Sequence, residues 1–329
     1  MLTDFRVDDQ QSEHVLRSTL RWKKDERFTV EGSAEGAFNG LTTATRLLTA
    51  GVPTVVPAAN VTINEERGEV GVLASWKPSA RYGLTGAMKV ETSRLTAAGD
   101  VDLTRTLTYA KPRLVLSFTP DKATQLRLRG EREVGQISFP ALLANSEFNS
   151  GVVRAGNPNL RPQRAWVVEA VLERQFWTGA SAVVTLRQKA VEDVVDVRLV
   201  GTTGAVGLGN IGDGTQTEAV FVVTLPLKAI GVNGAMLTGS LNKIWNRVTD
   251  PTPNGWEGPD PWVRLLVFVE YRARPNLIAR IEVNNATGAK TLLQVASFAG
   301  VRDRSALLYL DRRDLGIAPY AFLRLRRTF

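Results

Sequence analysis

The stretch Arg164-Ala165-Trp166-Val167-Val168-Glu169-Ala170-Val171-Leu172-Glu173-Arg174-Gln175-Phe176-Trp177 sets Trp166, Val168, Ala170 and Leu172 on one parity, against Glu169, Glu173 and Gln175 on the other. A period of two means a strand with one apolar and one polar face. The same alternation recurs on both sides. In Gly83–Thr92, Leu84, Gly86, Met88 and Val90 oppose Thr85, Ala87, Lys89 and Glu91; in Lys122–Glu133, Leu126, Leu128 and Gly130 oppose Gln125, Arg127, Arg129 and Glu131. Towards the C-terminus, Val263, Leu265, Val267, Val269 and Tyr271 oppose Arg264 and Glu270, and Leu277, Ala279, Ile281 and Val283 oppose Asn276, Arg280, Glu282 and Asn284. The segments run for roughly 9–14 residues, longer than the ~5–6 usual in soluble sheets and suited to tilted membrane strands.

The connections fall into two kinds that alternate along the chain. Short turns are expected at Lys23–Glu26, Lys77–Tyr82, Thr119–Lys122, Trp177–Ala180, Ile230–Gly234, Arg272–Asn276 and Gly300–Asp303. Long connections are expected at Asn39–Arg67, Thr96–Thr106, Gly135–Pro162, Gly201–Gly214 and Val248–Pro261, with shorter ones at Asn284–Lys290 and Asp311–Ala318. Short loops on one side and long ones on the other are the layout of an outer-membrane barrel. The expected fold is therefore all-β, an antiparallel transmembrane β-barrel contributing about fifteen strands. A barrel with both ends on the turn side needs an even number, so at least one further strand is expected to precede these.

Composition narrows the function classes. The 329 residues carry 41 basic and 33 acidic side chains, a net charge of +8, and no cysteine. Thiol catalysis, disulfides and Cys-based metal centres are excluded. The cations are scattered singly through alternating segments, without a basic helix, so nucleic acid is not an expected partner. Met1 is followed by a polar stretch containing Asp4, Asp8 and Asp9, without the apolar core of a signal peptide. The charge-free run Leu47–Asn64 holds Pro53 and Pro57 and reads as a loop. Gly207-Leu208-Gly209-Asn210-Ile211-Gly212 matches a dinucleotide fingerprint, but the strand-like Thr215–Leu225 follows it where a helix is required. His14 is the one histidine, lies in a polar stretch and reads as a surface residue; no G-x-S-x-G elbow accompanies it. Glu65-Glu66 reads as a solvated turn, and the sequons at Asn60 and Asn285 matter only in a eukaryotic secretory protein. No catalytic residue, cofactor or metal ligand is expected.

One segment is more specific. Ala155-Gly156-Asn157-Pro158-Asn159-Leu160-Arg161-Pro162-Gln163, followed by Glu169, resembles the G-N-P-x-L-[KR]-P-[EQ] … E signature of TonB-dependent receptors. There it ends an extracellular loop and leads into a strand with an inward glutamate. Pro158 and Pro162 fix φ and hold the preceding residues extended, and Leu160 can tuck beneath the turn. Leu114–Phe118 running into Thr119-Pro120-Asp121 is similar to that family's short periplasmic turn. Asn210-Ile211-Gly212 before Thr217–Val223 is similar to one of its strand starts, and Val248–Pro251 to a strand end before an extracellular loop. Leu323, Leu325 and the terminal Phe329 resemble the signal read by barrel-assembly machinery.

The resemblance implies that residues 1–329 are the C-terminal part of a barrel of 22 strands, with about seven strands and the N-terminal plug absent. It implies a Gram-negative outer membrane, contact with its lipid, and uptake of a scarce ligand: a siderophore complex, haem, cobalamin or a saccharide. Coupling to the TonB complex would run through the plug. Arg127, Arg129, Arg264 and Arg280, with Glu169, either line the ligand path or solvate the wall and pair with the plug. Trp22, Trp76, Trp166, Trp177 and Tyr320 are candidates for interfacial girdles. The alternatives are a plug-less passive channel and a non-transport surface β-protein.

Overall fold

The computed structural model describes residues 3–54, 59–137, 139–142, 145–147, 152–154, 156–157, 159–200, 205–248, 262–299 and 305–328. Among the described residues the chain is all-β apart from single helical turns at Phe139–Leu142 (α1) and Leu227–Ile230. Its strands are β1 (Thr3–Lys23), β2 (Phe28–Thr49), β3 (Val52–Thr54), β4 (Asn60–Trp76), β5 (Tyr82–Gly99), β6 (Leu103–Asp121), β7 (Thr124–Val134), β8 (Asn145–Glu147), β9 (Val152–Arg154) and β10 (Arg164–Trp177). There follow β11 (Ala180–Glu192), β12 (Val195–Val200), β13 (Ala205–Asn210), β14 (Gly214–Pro226), β15 (Ala235–Val248), β16 (Trp262–Arg274), β17 (Leu277–Asn284), β18 (Lys290–Phe298), β19 (Leu307–Gly316) and β20 (Tyr320–Arg327).

One antiparallel sheet holds fourteen strands in the order β1-β2-β4-β5-β6-β7-β10-β11-β14-β15-β16-β17-β20, with β3 paired on β2. The expected fifteen become thirteen along this path because β18 and β19 form a separate hairpin between β17 and β20. The turn expected at Gly300–Asp303 lies outside the described residues. Other long connections are shorter than their sequence suggested. Most of Asn39–Arg67 belongs to β2 and β4, and the loop expected over Thr96–Thr106 is reduced to residues 100–102. Gly207–Asn210 lies in β13, a hairpin strand with β14 beyond it rather than a helix.

Register fixes the tilt. A lateral row runs Phe28–Trp76–Leu84–Leu116–Leu128–Ala170–Leu186–Ala219–Lys243. It leaves from the first residue of β2 and, eight strand-to-strand steps later, meets β15 eight residues beyond its first residue, Ala235. One residue of stagger per strand, at ~3.3 Å rise and ~4.8 Å strand spacing, is a tilt of roughly 35°, the geometry of a barrel wall.

The two faces of this wall differ. The row residues and their neighbours point outward, and Trp76, Leu116, Leu128 and Leu186 of the row are exposed, as are Val70, Val72, Leu114, Val168, Ile281, Leu323 and Leu325. Among the described residues, charged side chains on the outward face sit towards its borders. Trp22, Phe28, Trp76, Tyr82, Phe118 and Trp177 gather at the short turns, with Trp22 edge-on to Phe28 and Tyr82 stacked on Phe118 at 4.8 Å. Phe38, Trp166 and Trp245 lie at the other border. Phe28 and Phe38 are ten residues apart on β2, which at this tilt spans roughly 25–30 Å, about the apolar height of a membrane barrel. Tyr320 departs from its expected place: it pairs with Asn284 on the row of Glu282, the inward face. Among the described residues no helix is long and apolar enough to cross a membrane.

Beyond the second aromatic border the faces exchange character. On β4 the outward side changes from Val72 and Val70 to Glu66, Asn64 and Thr62, while the inward side changes from Glu69, Arg67 and Glu65 to Ile63 and Val61. On β5 the outward side changes from Val90 to Thr92 and Arg94, and the inward side from Glu91 to Leu95 and Ala97. The buried core therefore sits at this end, inside the wall. Leu41, Val61, Ile63, Leu95 and Ala97 pack there against Phe139 and Leu142 of α1 and against Leu160.

Candidate functional site

Inward-facing side chains at the level of the outward apolar band form three runs of ion pairs. Arg17 and Arg67 share Glu35, the latter at 3.1 Å. Lys89 and Lys111 share Glu69 at 2.7 and 3.1 Å, and Lys111 also reaches Glu91 at 2.6 Å. The third run crosses five strands: Arg113–Glu131 at 3.3 Å, Glu131–Arg129, Arg129–Glu169 at 3.0 Å, and Arg187 to both Glu169 and Glu218 at 2.6 Å. Glu169 is 5% exposed, and guanidinium groups from the strands on both sides hold it. A buried carboxylate needs such partners, because an unpaired charge away from water is expensive.

The loop segment before β10 is held by a second cluster. Gly156, Leu160 and Pro162 are buried, with Leu160 in the core. The Asn157 side chain organises the turn. Its Oδ1 accepts the Asn159 N–H at 3.1 Å, and its Nδ2 donates to the Leu208 carbonyl at 2.8 Å. Asn210 acts like a paired strand residue towards Arg161: the Arg161 N–H donates to Asn210 Oδ1 at 2.9 Å, and Asn210 Nδ2 donates to the Arg161 carbonyl at 3.0 Å. Asp193, 7% exposed and at φ 57°, joins the two loops. Its carboxylate receives Arg161 at 2.7 Å and Arg164 at 2.6 Å, while its carbonyl accepts Asn210 Nδ2 at 2.9 Å. From the other side, Arg105 donates to the Leu160 carbonyl at 2.8 Å. The glycine-proline segment is thus clasped to the Asn210-Ile211-Gly212 segment. Pro158 and Ala155 lie outside the described residues.

A cavity of about 350 Å³ opens where the inward face turns from charged to apolar, lined among others by Glu13, Asn39, Glu65, Tyr109 and Phe139. Glu65 and Glu66, expected in a turn, lie in β4 and point to opposite faces. Glu65 accepts Asn39 Nδ2 at 2.9 Å and the Ser93 hydroxyl at 2.6 Å.

The remaining sequence candidates are dispersed. Arg127 and Arg264 lie on inward positions of β7 and β16 and are exposed. Arg280 pairs with Glu282 at 2.6 Å and stacks 3.5 Å from the Phe268 ring centroid. Leu323 and Leu325 are exposed on the outward face of β20, and Phe329 lies outside the described residues. Residues 249–261 and 201–204, within two of the expected long connections, also lie outside them. Sequence reasoning missed Asp193; its signal, an Asp at a strand end before a Val-rich hairpin, is weak because αL turns need only a short polar residue. Among the described residues, no group of His, Asp or Glu is spaced to hold a metal.

No family model matches the chain, and no curated protein matches it in sequence. Its fold is shared with solved transporters. It is similar to the copper transporter OprC, with 12% identity and a TM-score of 0.66 over 98% of this chain and 48% of that one. It is similar to the FrpB iron transporter from Neisseria meningitidis (9%, TM-score 0.62, 96% and 48%) and to the ferric citrate transporter FecA (11%, 0.62, 98% and 47%). The chain spans about half the length of these structures.

Proposed function

We propose that this chain forms part of the wall of a TonB-dependent receptor in a Gram-negative outer membrane, where the complete protein takes up a scarce ligand. The observation that carries the membrane assignment is the outward face: an uncharged apolar band, crossing strands tilted by roughly 35° and edged by aromatic rings, is what a hydrocarbon slab selects. The ion-paired inward face and the loop clasp lie where a ligand path runs in such a barrel. The likeness of residues 155–163 to the receptor signature, and a fold shared with transporters of copper, iron and ferric citrate, favour energy-coupled uptake over passive flow. The ligand is a metal ion, a metal complex such as a ferric siderophore or haem, cobalamin or a saccharide, reached through the residue 135–163 and 193–213 loops. Lipid, barrel-assembly machinery acting on Leu323, Leu325 and Phe329, and the TonB complex acting through a plug domain are its partners.

Uptake by cells carrying the intact gene, with each ligand class supplied in labelled form, tests this. Uptake of one class is expected to vanish on gene deletion, on TonB deletion and on collapse of the proton-motive force. Uptake lost with the gene but indifferent to TonB and to the proton-motive force would make the protein a passive channel.

A further inference from the structure

On β7 to β15 the long-loop border of the outward face carries a feature that an apolar band does not require. Arg132 is the ninth residue of β7 from its short-turn end and points outward, with its guanidinium 5.8 Å from the Trp166 ring centroid on the neighbouring strand. Lys243 is the ninth residue of β15, also outward, with its ammonium 4.7 Å from the Trp245 ring. Of the three strands between them, β10 carries Trp166, and β11 and β14 carry outward Gln188 and Thr217 at the same height. The Thr217 hydroxyl donates to Gln188 Oε1 at 2.5 Å, which leaves the Gln188 amide hydrogens for another acceptor. Among the described residues Lys243 has no ion pair, and Arg132 pairs with Glu192 at 3.8 Å. Four strand spacings and four residues of stagger separate the two cations, about 23 Å between their backbone positions.

We propose that this strip is a docking surface for phosphorylated lipid headgroups in the leaflet on the long-loop side, an inference that rests on the membrane-spanning reading above. Each long cationic side chain lies along an apolar ring and lifts its charge to headgroup height, as snorkelling cations do. The tryptophans anchor the same level. Two cations flanking amide and hydroxyl groups complement a headgroup with phosphate charges and hydroxyls. The charge on the strip is cationic apart from Glu192, so zwitterionic headgroups gain less from it than anionic ones.

The test is made with the complete protein, produced from the intact gene, in phosphatidylcholine vesicles in which a minor fraction of the lipid is brominated on its acyl chains. Bromine quenches tryptophan emission on contact. Brominated phosphatidylglycerol is expected to quench more than brominated phosphatidylcholine, through an enrichment of about fivefold per cation. The preference should disappear in the Arg132→Gln/Lys243→Gln variant. It should survive in Arg132→Lys/Lys243→Arg, which separates lost charge from lost fold. Equal quenching by both lipids in the unmodified chain, or an undiminished preference in the Gln variant, overturns the headgroup surface. Quenching by neither lipid overturns the membrane-spanning reading itself.

Discussion

Single residues set the local geometry, and three make separable predictions. Gly99 closes the turn between β5 and β6 at φ 114°, and a Cβ there would stand 2.3 Å from the Asn60 carbonyl oxygen. Gly99→Ala is therefore expected to destabilise this end of the wall by about 1–3 kcal/mol, read as a lower thermal midpoint; an unchanged midpoint would mean the turn relaxes freely. Asp193→Ala should free the Arg161 guanidinium, leave Arg164 with Glu192 alone, and loosen the 156–163 segment. Limited proteolysis would then cut within 135–163 faster than in the unmodified chain, with the strands still protected. In the β1–β2 turn, Asp25 accepts the backbone N–H groups of Arg27 at 2.7 Å and Phe28 at 2.8 Å, and these bonds lower its carboxyl pKa below the ordinary value of 3.8. A lowered folded pKa means the turn is supported above the unfolded value and loses that support as pH falls through the folded one. The Asp25 carboxyl should titrate at lower pH than in a free peptide covering residues 23–28, and equal midpoints would refute the turn's hydrogen bonding. Leu160 was legible from its place between two prolines. Asp193 was not, because nothing in one sequence marks a carboxylate whose partners, Arg161 and Arg164, lie on a distant stretch of chain.

At the level of elements, alternation was legible wherever the two faces differ sharply, as in β10 and β17. It faded along residues 39–49, where Gly40, Thr42 and Ala44 fill the outward side, and along 60–67, where Thr62, Asn64 and Glu66 do, as the faces exchange character. Those strand ends therefore read as loop. The β18–β19 hairpin was legible as two strands but not as a separate pair, since register with neighbours is a long-range property. The cross-strand charge runs give this scale its own prediction. Glu169→Ala leaves Arg129 and Arg187 facing each other across β10 without their shared carboxylate. The expected loss is about 3 kcal/mol in unfolding stability, seen as a lower midpoint in a detergent-micelle denaturation series. A loss below about 0.5 kcal/mol would mean water already solvates these groups as well as Glu169 does.

For the whole molecule, the exchange of faces draws a boundary that substitution can locate. Val72 points outward in the middle of the apolar band, whereas Thr96 points outward above it. Val72→Arg should cost about 2–4 kcal/mol of barrel stability in a bilayer, and Thr96→Arg about 0–1 kcal/mol. Equal effects at the two sites would remove the band as a lipid contact. The sheet has one further consequence. Every neighbouring pair on its path is antiparallel and the path holds thirteen strands, so β1 and β20 run in the same direction. The two rims cannot zip to each other in the alternating pattern of outer-membrane cylinders, and a twin copy standing beside the first meets the same mismatch at both seams. Whatever polypeptide seals the cylinder must bring an odd number of strands, nine for the twenty-two of a plugged transporter.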